Sequence, residues 1–405
     1  MKVEIKPSAL KGRISAPPSK SMAHRLLICA GLAKGLSHIS GISDSEDMLA
    51  TLDLLQGLGA DCNKDGCEAT VFGTDPKTAK PTVALPCREC GSTLRFFIPL
   101  CLLSEERITL CGSHRLFARP LTVYEDLCRE RGLFWEQRET TVTLQGPLTG
   151  GEFTVAGNIS SQFISGLLFA LPLCKEDSVI RILPPLESKP YIDMTVEALG
   201  RFGVSVIWED ELTIRVKGGQ KYVPQNLTVE GDFSNAAFFE ALHALGHDVS
   251  VENLNMDSLQ GDKIYLRYFS EMERGTPTQS IRQCPDLGPI LIALAAAKNG
   301  AVLTDTERLR IKESDRGVAM AEELAKLGVC VTVNENDIVV PAGALQKPTE
   351  VLNGHNDHRI VMALSVLLTR TGGVIEGAQA VRKSLPEFFA LLQSLGCEVI
   401  IHETE

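Results

Sequence analysis

The chain has 405 residues, enough for two or three domains with proper cores, and its 44% hydrophobic and 22% charged composition excludes disorder and fibrous structure. With 51 acidic against 40 basic residues the net charge is −11, so broad attraction to nucleic acid or to an anionic membrane is disfavoured and any anion site is a local exception. The longest apolar stretches, 164–174 and 290–297, fall short of the roughly 20 residues that span a bilayer. The opening MKVEIKPSALKGRI lacks the continuous apolar run of a secretory signal, and a cytoplasmic location is expected. There the twelve cysteines read as reduced thiols, many of them buried, and not as a disulfide framework.

In chain order, one shape recurs six times: a helical apolar pattern stops at a glycine and runs at once into a short strand. The stops are Gly59, Gly132, Gly203, Gly246, Gly328 and Gly396, at intervals of 73, 71, 43, 82 and 68 residues. A more apolar helix precedes each, its start marked by Ser21, Ser92, Ser161, Ser234, Asp286 and Asp357, at intervals of 71, 69, 73, 52 and 71. Runs such as FISGLLFALPL and IVMALSVLL are apolar on nearly every face and are expected to be buried. With strands such as SVIRIL between the helices, this predicts an α/β unit of about seventy residues repeated six times, as two halves of three.

The unusual residues repeat one structural position. Lys20, Ser21 and Arg25 flank the first buried helix start; Gly91, Ser92 and Arg95 the second; Ser160, Ser161 and Gln162 the third; Asp286 the fifth; Asp357, His358 and Arg359 the sixth. Serine and aspartate there can simply be caps, and for Ser234 that alternative carries equal weight. Caps do not explain the cations, because a cation at a helix N-terminus opposes the helix dipole and needs an anionic partner. RIKESDR, at 310–316, is read as a further anion site ahead of the amphipathic run VAMAEELAKLG.

Other chemistries find little support. There is no phosphate-binding P-loop motif and no nucleophile elbow, and Gly57-Leu-Gly59 ends a helix where a dinucleotide fingerprint would open one. Cys87 and Cys90 form a lone pair without a second pair at zinc spacing, so no metal and no cofactor is expected. His243 and His247 straddle Gly246 and are expected at the surface.

Read together, GRISAPPSKSMAHR, ECGSTLR, ARP, SSQF, SKPYID, PDL, RIKESDR, NDHR and RKSLPEF resemble, in order and along the whole chain, the 5-enolpyruvylshikimate-3-phosphate synthase family. The resemblance implies an inside-out α/β fold of two pseudo-symmetric domains, each of three βαβαββ repeats. One comprises residues 20–229, the other 230–405 plus 1–19, with the active site in the cleft between them. It implies transfer of the enolpyruvyl group of phosphoenolpyruvate to the 5-hydroxyl of shikimate 3-phosphate through a tetrahedral intermediate, with release of phosphate, by a monomer. Carried over by position, Lys20, Gly91, Arg119, Gln162, Arg316, Arg359 and Lys383 are the implied phosphoenolpyruvate contacts. Lys20, Ser21, Arg25, Ser160, Ser161, Gln162, Ser188, Asp286 and Lys312 are the implied shikimate 3-phosphate contacts. Asp286 is the implied base and Glu313 the implied acid to carbon, with Lys20 sharing proton traffic. Two positions depart from the family pattern: Glu89-Cys90-Gly91-Ser92 where many members have Asn-Ala-Gly-Thr, and Arg308 where some have Asn. A UDP-N-acetylglucosamine enolpyruvyl transferase and a non-enzymatic phosphate-ester binding protein are the alternatives.

Overall fold

The computed structural model describes residues 1–402. The chain divides into two compact units, one of Lys20–Glu230 and one of Met1–Ser19 with Gly231–Glu405. Each has its own apolar core.

Helices come in pairs, a buried one and then a half-exposed one. In the first unit the pairs are α1 (Lys20–Leu32) and α2 (Glu46–Gly57), α3 (Gly91–Cys101) and α4 (Thr122–Arg131), α5 (Ser161–Ala170) and α6 (Lys189–Arg201). In the second they are α7 (Phe233–Ala244) and α8 (Tyr265–Arg274), α9 (Gly288–Ala297) and α10 (Arg316–Lys326), α11 (His358–Thr371) and α12 (Phe388–Ser394). The cause lies in the side chains. Nearly every residue of α9 is buried alanine, leucine or isoleucine, whereas α8 buries only Tyr265, Tyr268, Phe269 and Met272, one stripe at helical spacing. All six glycines read as stops have positive φ, between 66° and 102°, which a residue with a Cβ adopts only at a cost.

Among the described residues five four-stranded sheets share one order. In the sheet of the second helix pair, Leu85–Pro86 runs parallel to Ile108–Cys111, which pairs antiparallel with Thr141–Gln145, itself antiparallel to Phe134–Gln137. Two sheets are completed by distant segments. Asn226–Thr228 joins Leu36–Ser40, and the N-terminal strand Lys2–Ile5 lies between Gly373–Glu376 and Val399–His402.

The fourth repeat differs from expectation. Its sheet is only Asp248–Glu252 parallel to Lys11–Ser15, without the antiparallel hairpin. Gly246 ends the buried helix α7, not the half-exposed partner, which is α8 and stops at Gly275. Gly275 lies 72 residues after Gly203 and 53 before Gly328, matching the interval of 52 between the buried starts at Ser234 and Asp286. The short interval is thus a missing hairpin: α8 leads directly to Thr278–Ser280, the outer strand of the next sheet.

His247 corrects a second expectation. It is buried, because the strand after α7 is covered by the N-terminal segment: its Nδ1 accepts from Leu10 N at 3.2 Å and its Nε2 lies 3.1 Å from Thr369 Oγ1. His243 is exposed, as expected. Replacing His247 by leucine leaves a buried backbone N–H unpaired, and His247→Leu is expected to lower unfolding stability by about 1–3 kcal/mol. His243→Leu should change it by less than about 0.5 kcal/mol, both read from urea transitions.

Candidate functional site

In the first unit the starts of the buried helices meet. Gln162, in the first turn of α5, donates to Ser92 Oγ at 2.9 Å and accepts from Arg95 Nη1 at 2.8 Å, both on α3. His24, on α1, lies with its Nε2 3.8 Å from Cys90 Sγ at the cap of α3. Capping falls to residues just outside the helices: Cys90 Sγ accepts from Thr93 N and Ser160 Oγ from Gln162 N. In the second unit Asp232 accepts from Ser234 N and Asn235 N, so Ser234, like Ser92, is not the cap. Their hydroxyls are thereby left to bind side chains, and Ser234 Oγ accepts from Arg359 at 2.7 Å.

The cations of the first cluster are held in place. Lys20, the first residue of α1, reaches Asp47 in the first turn of α2 at 2.7 Å. Arg25 is buried and donates to Thr195 Oγ1 at 2.9 Å and to the carbonyls of Tyr191 at 2.8 Å and of Ser21, all of them neutral acceptors. Burial accordingly lowers its guanidinium to about 10. Arg119, buried ahead of Pro120, packs on Gly91 so closely that a Cβ there would stand 2.6 Å from its Nη1. Ser188 is buried with φ 54°, in the turn entering α6 whose Tyr191 carbonyl Arg25 holds. Ser21 and Ser161 occupy the first turns of α1 and α5.

The second cluster is built on carboxylates. Asp357 caps α11 by accepting from Arg359 N at 2.9 Å, and is fully buried. Arg316, the first residue of α10, donates through Nε to Asp357 at 2.8 Å, through Nη1 to Asp286 at 2.9 Å and through Nη2 to Glu313 at 2.7 Å. Burial opposes its charge, yet Asp357, Glu313 and Asp286 together win and hold it above the ordinary arginine range. Asp286 also receives Lys312 at 3.2 Å and Arg359 Nη2 at 3.2 Å. Burial outweighs Asp286 at Lys312, whose ammonium is lowered to about 8, with Arg308 and Arg316 adding to the shift. Lys383, also buried, donates to the carbonyl of Asn356 at 2.6 Å.

The expected site residues therefore gather as two groups. Lys20, Ser21, Arg25, Gly91, Arg119, Ser160, Ser161, Gln162 and Ser188 lie in the first unit; Asp286, Lys312, Glu313, Arg316, Arg359 and Lys383 lie in the second. Asp47, Ser234, Ser314 and Asp357 complete these networks and were missing from the sequence-based set, although Ser234 and Asp357 stand at recurrent helix starts. Asp47 gives no sequence signal, since an acid in a first helical turn is ordinary.

Among the described residues two groups could offer metal ligands, His24 with Asp47 and Cys90, and Glu322 with Glu323 and His355. In the first, Asp47 is engaged by Lys20, the His24 Nδ1 lies 2.7 Å from Thr51 Oγ1, and burial with the Asp47 charge pushes the Cys90 thiol up to about 12. In the second, Glu323 already accepts from Lys326 and His355.

Because Arg316 is matched on all sides, removing it strands a buried carboxylate at Asp357. Arg316→Met is expected to cost about 3–5 kcal/mol in the unfolding of the second unit, seen by calorimetry, with Arg316→Lys intermediate.

The architecture is that of an enolpyruvyl transferase. It superposes with a TM-score of 0.79 on the enolpyruvyl transferase NikO from Streptomyces tendae, at 15% identity over 98% of each chain. It superposes with a TM-score of 0.78 on EPSP synthase from Acinetobacter baumannii, at 25% identity over 99% of this chain and 100% of that one. The family model for EPSP synthase (3-phosphoshikimate 1-carboxyvinyltransferase) matches residues 5–392. The 3-phosphoshikimate 1-carboxyvinyltransferases of Clostridium perfringens and Clostridium kluyveri are 40% and 39% identical over 98% of each chain. The chain belongs to the EPSP synthase family. It transfers the enolpyruvyl group of phosphoenolpyruvate to the 5-hydroxyl of shikimate 3-phosphate and releases phosphate, a step of the shikimate pathway, and neither alternative reading is favoured. No helix among the described residues is long and apolar enough to cross a membrane.

Proposed function

We propose that the two clusters serve this one reaction with divided roles, the first domain, 20–229, chiefly receiving anions and the second, 230–405 plus 1–19, chiefly moving protons. The observation that carries this is the contrast between two buried arginines. Arg25 is met by neutral acceptors and its charge calls for an anionic ligand, whereas Arg316 is matched by carboxylates. On this reading Lys20, Ser21, Arg25, Ser160, Ser161, Gln162 and Ser188, with Asp286 and Lys312, hold shikimate 3-phosphate. Lys20, Gly91, Arg119, Gln162, Arg316, Arg359 and Lys383 hold phosphoenolpyruvate. The enzyme is a cytoplasmic monomer.

The chemistry follows an addition and an elimination. Asp286 takes the proton of the 5-hydroxyl as the hydroxyl oxygen attacks C2 of phosphoenolpyruvate, while Glu313, a carboxylate paired with Arg316 before substrate binds, takes up a proton beside the two bound anions and gives it to C3, leaving a tetrahedral intermediate with a methyl group. Loss of phosphate from C2 and of one methyl proton then restores the double bond. Glu313→Gln is expected to bind shikimate 3-phosphate normally, to lose about 100-fold or more in turnover, and to stop incorporating solvent deuterium into the methylene carbon. A glutamine variant that still exchanges deuterium would move the role elsewhere.

Lys312 supplies a pH test. Its cation favours the phosphate dianion, and the bound dianion in turn favours the cation, so the complex keeps a proton that the free enzyme loses above pH about 8. Affinity for shikimate 3-phosphate by calorimetry should thus fall as pH rises beyond that value. In Lys312→Arg it should stay level to about pH 9, because a guanidinium keeps its proton.

A further inference from the structure

The segment between strand Leu352–Asn353 and α11 makes an unusual turn. His355 and Asn356 have φ of 48° and 51°, two successive residues with side chains in the left-handed region. That turn aims two functional groups: the Asn356 carbonyl, which accepts from Lys383 Nζ at 2.6 Å, and Asp357, which accepts from Arg316 and caps α11. Such a conformation persists only where its surroundings over-determine it.

The surroundings are one face of α10. Arg316 and Glu323, two turns apart on that helix, are both buried. Arg316 grips the far end of the turn through Asp357. Glu323 grips the near end: its Oε1 accepts from His355 Nε2 at 3.0 Å and its Oε2 from Asn353 N at 2.9 Å, and Lys326 Nζ lies 3.0 and 2.8 Å from the two oxygens. Its burial raises the cost of the charge, but these partners more than offset it and keep the carboxyl below the usual range. The imidazole is held to the carboxylate, and the backbone of its own residue is the first of the two left-handed positions.

We propose that Glu323 and His355 are positioning residues that hold the 353–357 turn so that the Asn356 carbonyl presents the Lys383 ammonium to phosphoenolpyruvate. This rests on the assignment of Lys383 to that substrate. Neither side chain touches substrate; they act through the turn.

The test is steady-state kinetics on the full chain. Glu323→Ala is expected to raise the KM for phosphoenolpyruvate by about tenfold, the scale of one well-placed polar contact, with the KM for shikimate 3-phosphate within about twofold. Glu323→Gln, whose amide can still pair with His355 and Asn353, should recover to within about threefold of the parent. His355→Asn, which tolerates the left-handed backbone but is too short to reach Glu323, should raise the same KM several-fold and provides the test if Glu323→Ala fails to fold. In a Lys383→Met background neither substitution should add to the loss. If Lys383→Met raises the KM for phosphoenolpyruvate while the Glu323 and His355 variants do not, or change both KM values alike, the positioning role is overturned and the assignment stands. If Lys383→Met leaves that KM unchanged, the assignment itself fails and the positioning role with it.

Discussion

Taking a guanidinium out of water is costly, and much of the second domain is arranged around matching the charge of Arg316 with carboxylates. Its three carboxylate partners come from three places: Asp286 just ahead of α9, Glu313 in the segment entering α10, and Asp357 at the cap of α11. The same residue is the first of α10, where its charge opposes the helix dipole, so those carboxylates also offset an unfavourable helix start. Cohesion and chemistry are thereby coupled. A substitution that alters Asp286 or Glu313 changes the balance that keeps a buried cation, and losses of activity there have to be read beside stability.

The first domain repeats the fold and inverts the electrostatics. Its helix starts meet through Ser92, Arg95 and Gln162, and its buried Arg25 donates to a hydroxyl and two carbonyls. Hydrogen bonds of that kind place the group without cancelling its charge. The resulting demand for an anion agrees with an enzyme whose two substrates are both phosphate esters. One repeated backbone thus yields two electrostatic environments, and the difference lies in whether neutral groups, as at Arg25, or carboxylates, as at Arg316, meet the buried arginine.

What was legible in the sequence follows the same division. Helix stops at glycine depend on local backbone preference, and all six candidate stops have positive φ. The buried helices were legible because FISGLLFALPL or IVMALSVLL leaves no polar face to expose. Gly246 misled because a Leu-Gly stop followed by a strand looks the same after a buried helix as after an amphipathic one. The true partner, α8, ends at a glycine with extended backbone, and Thr276 and Pro277 stand between that glycine and the strand Thr278–Ser280. His247 looked superficial for lack of any local sign that Leu10, 237 positions away, would cover it. Asp47 and Glu323 were illegible for the same reason: their roles come from partners on other elements, and as acids on amphipathic helices they resemble solvated surface.

The two departures from the family pattern now have different physical weights. At Cys90 the thiol accepts from the amide and the hydroxyl of Thr93 and faces His24, so it adds a weak cap to α3. The close seat that Gly91 gives Arg119 does not involve the thiol, which points to α1 and not to the arginine. Position 308 is another matter. A buried guanidinium there adds positive potential at Lys312, on top of burial, and eases loss of its proton. A neutral asparagine would lack that effect and would leave Lys312 charged to higher pH. The departure at 90 thus lies outside the seat of Arg119, whereas the departure at 308 bears on the titration of a cation expected to meet the substrate phosphate.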